Sequence, residues 1–246
     1  MEPVYEIDFS ALDPEEKVEF MDDLRDSMAE SFADQPAPVQ ILAQTLIFTR
    51  WWNSYKHMAP KEPAPEILGI AIELLWDFLE GKCGEAEFVR VQQSFSDSAL
   101  DILTGDDGGL NEDPESGAFS RKYFTPWHAL SYNVFLSYLC TVLEEAFSQS
   151  FTWDAVEGVI VGDIGDTMID FFEPIYRNAS GGYYPSELNR REKEAYNTPT
   201  FARVIALLQQ DMRAALEGTP LAELRARYQN EYLFSPEESA KISDYR

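Results

Sequence analysis

The sequence predicts an all-α fold: a single bundle-like domain of roughly eight to ten helices. Three observations lead there. Apolar residues recur three or four apart through most of the chain, and helix-start signals of the form Ser/Thr/Asp-Pro punctuate it. Only Val4–Phe9 alternates like a strand, and it has no evident partner strand.

Asp13-Pro14-Glu15-Glu16 places an N-cap, a proline at the first helical position and a reciprocal acid at the third, so a helix over 14–33 is expected. Ile41, Thr45, Phe48, Trp52 and Tyr55 then give one packed face to a helix over 38–58. Residues 65–80 carry a wide stripe, Ile67, Ile70, Ala71, Leu74, Leu75, Phe78 and Leu79, suited to a core helix. A more polar helix over 84–103 leads to the Gly- and Asp-rich loop from Thr104 to Gly117. The helices over 126–149, begun by Thr125-Pro126, and 152–173, capped by Thr152, are the most apolar, and the centre of the bundle is expected there. Gly181-Gly182 and Pro185 make a second break. Thr198-Pro199, Thr219-Pro220 and Ser235-Pro236-Glu237-Glu238 then start amphipathic helices that run to the C-terminus. The chain divides into an acidic N-terminal segment with one helix (1–37), a helical core (38–217) and C-terminal helices packed on it (218–246).

The 246 residues are 45% hydrophobic and 13% aromatic, a globular composition. Cys83 and Cys140 lie in apolar helical patterns with no disulfide framework around them, so free thiols in a reducing cytoplasm are expected. The opening Met1-Glu2-Pro3-Val4-Tyr5-Glu6 has no basic region followed by an apolar run, as a secretory signal would. From Tyr123 to Leu143 there is no charge, but Pro126, His128, Ser131, Asn133, Ser137 and Thr141 favour a buried helix over a membrane span.

Charge is the least ordinary property. There are 44 acids against 19 bases, a net charge of −25, unevenly spread. Residues 1–35 hold twelve acids and two bases; residues 91–120 hold seven acids and 123–176 eight, both without a base; residues 190–246 balance nine against nine. Such a field repels nucleic acid and anionic membranes and attracts a basic protein. General solubility is the plainer account of the same charge.

Catalytic groups are hard to assemble. The two histidines, His57 and His128, are isolated, and neither cysteine has a context that would lower its pKa. No phosphate loop, CxxC pair or HExxH motif occurs, and no cofactor is expected. Asp163, Asp166 and Asp170 share a helical face and are the best metal candidate, with oxygens that could converge on Mg²⁺ or Ca²⁺ with help from Glu144 and Glu145. The Glu-x-x-His pair typical of carboxylate metal sites in bundles is absent. The acids of the loop, Asp106, Asp107, Glu112, Asp113 and Glu115, do not follow EF-hand order. Gly158, Gly162 and Gly165 have the small-residue spacing of a close helix contact. In Arg50-Trp51-Trp52 the two indoles point about 100° apart on a helix. With Trp52 on the core face, Trp51 is the candidate exposed anchor for a partner. The candidate binding residues are therefore Trp51, Asp106, Asp107, Glu112, Asp113 and Asp163.

Thr49-Arg50 followed by Trp-Trp-Asn-Ser-Tyr at 51–55, a proline-bearing gap, and Ile72-Glu73-Leu74-Leu75-Trp76-Asp77-Phe78-Leu79 resemble the YjaG-like helical family. That family carries an Arg, a Pro-Asn-Tyr-like stretch and a Leu-Asp-x-x-Trp helix. The later order is similar too: a long apolar helix, the Ala155-Val156-Glu157 start and an amphipathic helix, covering 38–217. Trp51-Trp52 replaces the usual Tyr-Pro, and the acidic N-terminal helix and the helices after Gly218 are additional. The family is similar to helical immunity proteins encoded beside bacterial polymorphic toxins. The resemblance implies a cytoplasmic helical protein that binds rather than turns over, and it transfers no functional residue. The expected function is an acidic module that neutralises a basic toxin or effector. The alternatives are a metal-dependent enzyme using the carboxylates of 144–170, and a structural protein without catalysis. Millimolar Mg²⁺ or Ca²⁺ is expected to leave the melting temperature unchanged, since a ligand of the native state must raise it. A rise of many degrees, abolished by Asp163→Asn with Asp166→Asn, would favour the enzyme.

Overall fold

The computed structural model describes residues 2–57, 66–84, 86–91, 93, 127–164 and 194–243. Nine α-helices, a 3-10 turn and a π-helix are delimited among them, with further helical turns at 86–91 and 194–196 and no strand. The α-helices are α1 (Pro14–Asp22), α2 (Leu24–Phe32), α3 (Ala37–Tyr55), α4 (Glu66–Leu79), α5 (Trp127–Ser148), α6 (Asp154–Glu157), α7 (Pro199–Leu216), α8 (Leu221–Tyr228) and α9 (Pro236–Ser243). Among the described residues no helix is long and apolar enough to cross a membrane.

Capping fixes the helix starts. The Asp13 side chain accepts from the N–H of Glu15 (2.8 Å) and Glu16 (2.9 Å), and Glu16 reaches back to the Asp13 N–H at 2.8 Å. Ser235 and Glu238 repeat this reciprocal pair at α9, with bonds of 3.1 and 2.8 Å. Thr198 caps α7 through the Phe201 N–H at 3.2 Å. At α8 the cap position falls on Pro220 rather than Thr219, and no side chain closes it. The helix expected over 14–33 is broken at Asp23, so that Phe20 and Met21 before the break and Leu24, Met28 and Phe32 after it reach one core. Val4–Phe9 is not a strand. Its carbonyls at Val4 and Ile7 both accept from Gln209 Nε2 at 2.8 Å, and Asp8 caps the 3-10 turn Phe9–Ala11.

The centre lies at α3, not at the helices after residue 126. Helices α4, α5, α7, α8 and α9 all pack on α3, most extensively α7. Every residue from Gln40 to Trp51 is buried. One hydrophobic cluster runs from Val4 through α3 to Phe234, joining both ends of the chain.

Of the segment expected to be a helix over 152–173, the described part is the single turn α6 continued by a π-helix, Gly158–Ile164, and residues 165–173 lie outside the described residues. Gly158 lets the Tyr138 ring lie against the backbone there: a Cβ would lie 2.5 Å from that ring unless it moved. Gly162 lies in the π-helix, and Gly165 is outside the described residues. Two non-glycine residues between α5 and α6, Gln149 (φ 55°) and Trp153 (φ 65°), are left-handed. An L side chain pays for that conformation with about 1–2 kcal/mol, of which glycine's greater chain entropy returns part. Gln149, exposed at the end of α5, is therefore expected to gain about 0.5–1 kcal/mol of stability as Gln149→Gly. Urea unfolding checks it, and a loss of stability would contradict the left-handed assignment.

Candidate functional site

Of the residues quoted for the family resemblance, Thr49–Tyr55 lie in the last turns of α3 and Ile72–Leu79 in α4. Arg50 is 1% exposed and its partner Asp211, on α7, is fully buried. Arg50 Nε donates to both Asp211 oxygens (3.0 and 2.9 Å), and Nη2 donates to Oδ1 at 2.8 Å. Nη1 donates to Glu231 Oε2 at 2.8 Å and to the Tyr232 carbonyl at 3.3 Å. The Tyr228 hydroxyl donates to Asp211 Oδ1, and its ring lies 5.3 Å from the guanidinium. Burial opposes the Arg50 charge, but its bonds to Asp211 hold its pKa above the ordinary arginine value. Burial raises the Asp211 carboxyl, against the pull of Arg50 and Tyr228. Burial and the neighbouring Asp211 raise the Tyr228 phenol.

One turn on, Asn53 Nδ2 donates to the carbonyls of Tyr228 (2.6 Å) and Glu231 (3.0 Å). Ser54 Oγ accepts from the N–H groups of Leu233 (2.9 Å) and Phe234 (3.0 Å). Positions 50, 53 and 54 share a helix face, and together they hold the irregular segment between α8 and α9 by its backbone. On either side of this face, Thr49 accepts through its hydroxyl from the Trp76 indole at 3.0 Å, and Gln44 donates to buried Glu145 at 3.0 Å. Glu145 also accepts from the Thr152 N–H at 2.8 Å and from its hydroxyl.

This arrangement corrects the assignment of the two tryptophans. Trp51 is 0% exposed, packed on Tyr55 and Phe234, and cannot act as a surface anchor. Trp52 is the half-buried one, beside Gly69. The inversion arises because Arg50, Asn53 and Ser54, which look like a solvent face, are internally partnered. Asp106, Asp107, Glu112, Asp113 and Glu115 lie outside the described residues, as do Asp166, Asp170 and the side chains of Asp163 and His128. Glu145 is turned inward to Gln44 and Thr152 while Glu144 is exposed, so the pair does not present two carboxylates together. Among the described residues no three His, Cys, Asp or Glu side chains are placed to hold a metal ion. His57 is half-buried against Tyr232, its pKa lowered by burial and by Lys56.

Charge sorts by region. All twelve acids of residues 1–35 are exposed, ten of them from Asp8 to Asp34 on and around α1 and α2. Among the described residues Asp26 with Arg25 is the one ion pair these acids make. Lys17 is half-buried, over the Phe9 ring and 3.5 Å from Asn197. Several of the basic residues farther on are engaged with acids of their own region, while Lys56 donates to the Asn53 side chain and Arg213 to the Tyr5 carbonyl. Arg225 joins α8 to Glu73, Asp77 and Glu80 around α4, and Arg203 holds Glu238 at 3.0 Å. The uncompensated negative field of the described surface therefore gathers on α1 and α2, a site the sequence showed in its charge count but not as a contact surface.

No family model, curated protein or solved structure matches the chain.

Ser54→Ala is expected to cost about 1–3 kcal/mol, because it leaves two buried N–H groups without an acceptor. Urea unfolding checks it; a cost under about 0.5 kcal/mol, as for ordinary surface changes, would mean that Ser54 does not hold the segment. Burial, then Glu144, pushes the Cys140 thiol up to about 11. Only about one molecule in a thousand is then thiolate at pH 8, and the thiolate is the nucleophile. Cys140 should resist a maleimide in the native protein and react once it is unfolded, as read by mass spectrometry.

Proposed function

We infer that the chain is an acidic protein-binding module that meets a basic partner, in its most specific form an immunity-type protein neutralising a basic toxin or effector. The single observation that carries this reading is the exposed acidic surface of α1 and α2, where ten acids from Asp8 to Asp34 meet two cations, Lys17, half-buried over Phe9, and Arg25, paired with Asp26 and Asp154. Ion pairs that stabilise the fold sit at α3, α4 and α7–α9 instead. An anionic face that contributes little to stability is free to steer a cationic protein, which raises its rate of association more than its affinity. The same field disfavours nucleic acid and anionic membranes.

The test begins with affinity capture from the native host and identification of the partner by mass spectrometry. Association is then followed by surface plasmon resonance. Glu15→Lys, Glu19→Lys, Asp22→Lys and Glu30→Lys together are expected to slow association at least ten-fold at low salt, in the range by which steering speeds encounter. The melting temperature should be nearly unchanged. Raising salt from 0.1 to 1 M shortens the Debye length from about 10 to about 3 Å and should erase the difference. Reversal of Asp106, Asp107, Glu112, Asp113 and Asp163 tests whether the remaining acidic stretches share the contact. An acidic partner, or a complex indifferent to salt and to both sets of reversals, would defeat the electrostatic reading. Failure to protect cells from a toxin encoded beside it would defeat the immunity form alone.

A further inference from the structure

The junction from Thr152 to Ile164 concentrates features that cost free energy only while it is closed. Trp153 is left-handed at φ 65°, a conformation seldom held by a bulky residue. Its side chain is 0% exposed and its indole N–H has no acceptor among the described residues, so closure strips that donor of water without a described bond in return. The seven residues Gly158–Ile164 are π-helical, a register that elsewhere is mostly a single-turn bulge. Against these costs stand the Thr152–Glu145 bonds and the burial of Val156, Val159, Ile160 and Ile164.

Helix α2 rests on this junction. The Phe32 ring lies 4.8 Å from that of Trp153, and Arg25 reaches Asp154 at 3.4 Å across an exposed ion pair. No side chain caps α2, which is only nine residues long. We propose that Trp153 and the π-helix form a strained latch beneath α2, which opens locally, ahead of the rest of the core, and releases α2 with it. Strain of this kind persists only where its surroundings enforce it, and local opening is drawn from the least stable parts of a fold. The latch rests on contacts within the chain and stands whatever the acidic surface binds. A ligand that gripped α2 would bias it only by its differential affinity for the two states.

Native-state hydrogen exchange of the full chain, read by mass spectrometry, tests this. Segments 153–164 and 24–32 are expected to exchange at similar protection, at least ten-fold faster than 41–51 in α3 and 204–214 in α7. Gly158→Ala drives a Cβ into the Tyr138 ring and should speed exchange in those two segments a further ten-fold, leaving α3 and α7 unchanged. Adding Tyr138→Ala makes room for the methyl and should restore the slower exchange. Equal protection of the junction and α3, different protection of 153–164 and 24–32, or acceleration of every segment alike by Gly158→Ala would overturn the proposal. Should Gly158→Ala not fold, the wild-type comparison decides alone.

Discussion

The buried pair of Arg50 and Asp211 is the constraint on which the remaining structure depends. Removing two charges from water costs several kcal/mol per ion, and their attraction offsets this only if the geometry is good and the remaining valences are filled. Here they are filled: the guanidinium uses Nε and Nη2 on Asp211 and Nη1 on Glu231, and Tyr228 adds a donor to the carboxylate. The partners come from two stretches of chain, Asp211 from α7 and Tyr228 with Glu231 from the end of α8 and the segment after it. One pair therefore fixes α7 against α3 and sets where the end of α8 and the segment after it must lie. Asn53 and Ser54 then seat that segment by its backbone, and Leu233 and Phe234 become core residues.

That economy of charge shapes the surface. Arg50, Arg203 and Arg225 all serve acids of α4, α7 or the segments around α8 and α9. With so few bases in the chain, their engagement there leaves α1 and α2 with a near-pure acidic exterior over an apolar underside of Phe20, Met21, Leu24, Met28 and Phe32. Apart from the capping pair Asp13 and Glu16, stability and the proposed recognition thus use separate sets of charges, so the remaining outer acids can vary with a partner while the fold is kept.

Much of the fold was legible because its signals are local. The reciprocal caps at Asp13 and Ser235 and the Thr198 cap lie within three residues of what they bond, and sequence spacing is enough to see them. The centre was not legible, for the opposite reason. Gln44, Thr49, Arg50, Asn53 and Ser54 are polar, and periodicity assigns polar positions to solvent. Their partners are Glu145, Trp76, Asp211, Tyr228 and Leu233, separated from them by 27 to 179 residues. The misplaced Trp51 follows from the same omission, since a face that looked wet is the innermost one. The break at Asp23 and the π-helix after Gly158 are likewise tertiary in origin: Tyr138, not the local sequence, explains why residue 158 has no side chain. The acidic surface lies between these cases. Its charge was countable, but how little its two cations offset it became visible only once Lys17 and Arg25 were placed.

The claim that the polar face of α3 is an internal lock is tested most directly by a double-mutant cycle in urea unfolding, with Arg50→Met, Asp211→Leu and the two combined. Each single change strands a buried charge and is predicted to cost about 3–5 kcal/mol, whereas the pair together should cost far less than the sum. Small, additive losses would contradict the account, because they would mean that neither charge is buried against the other.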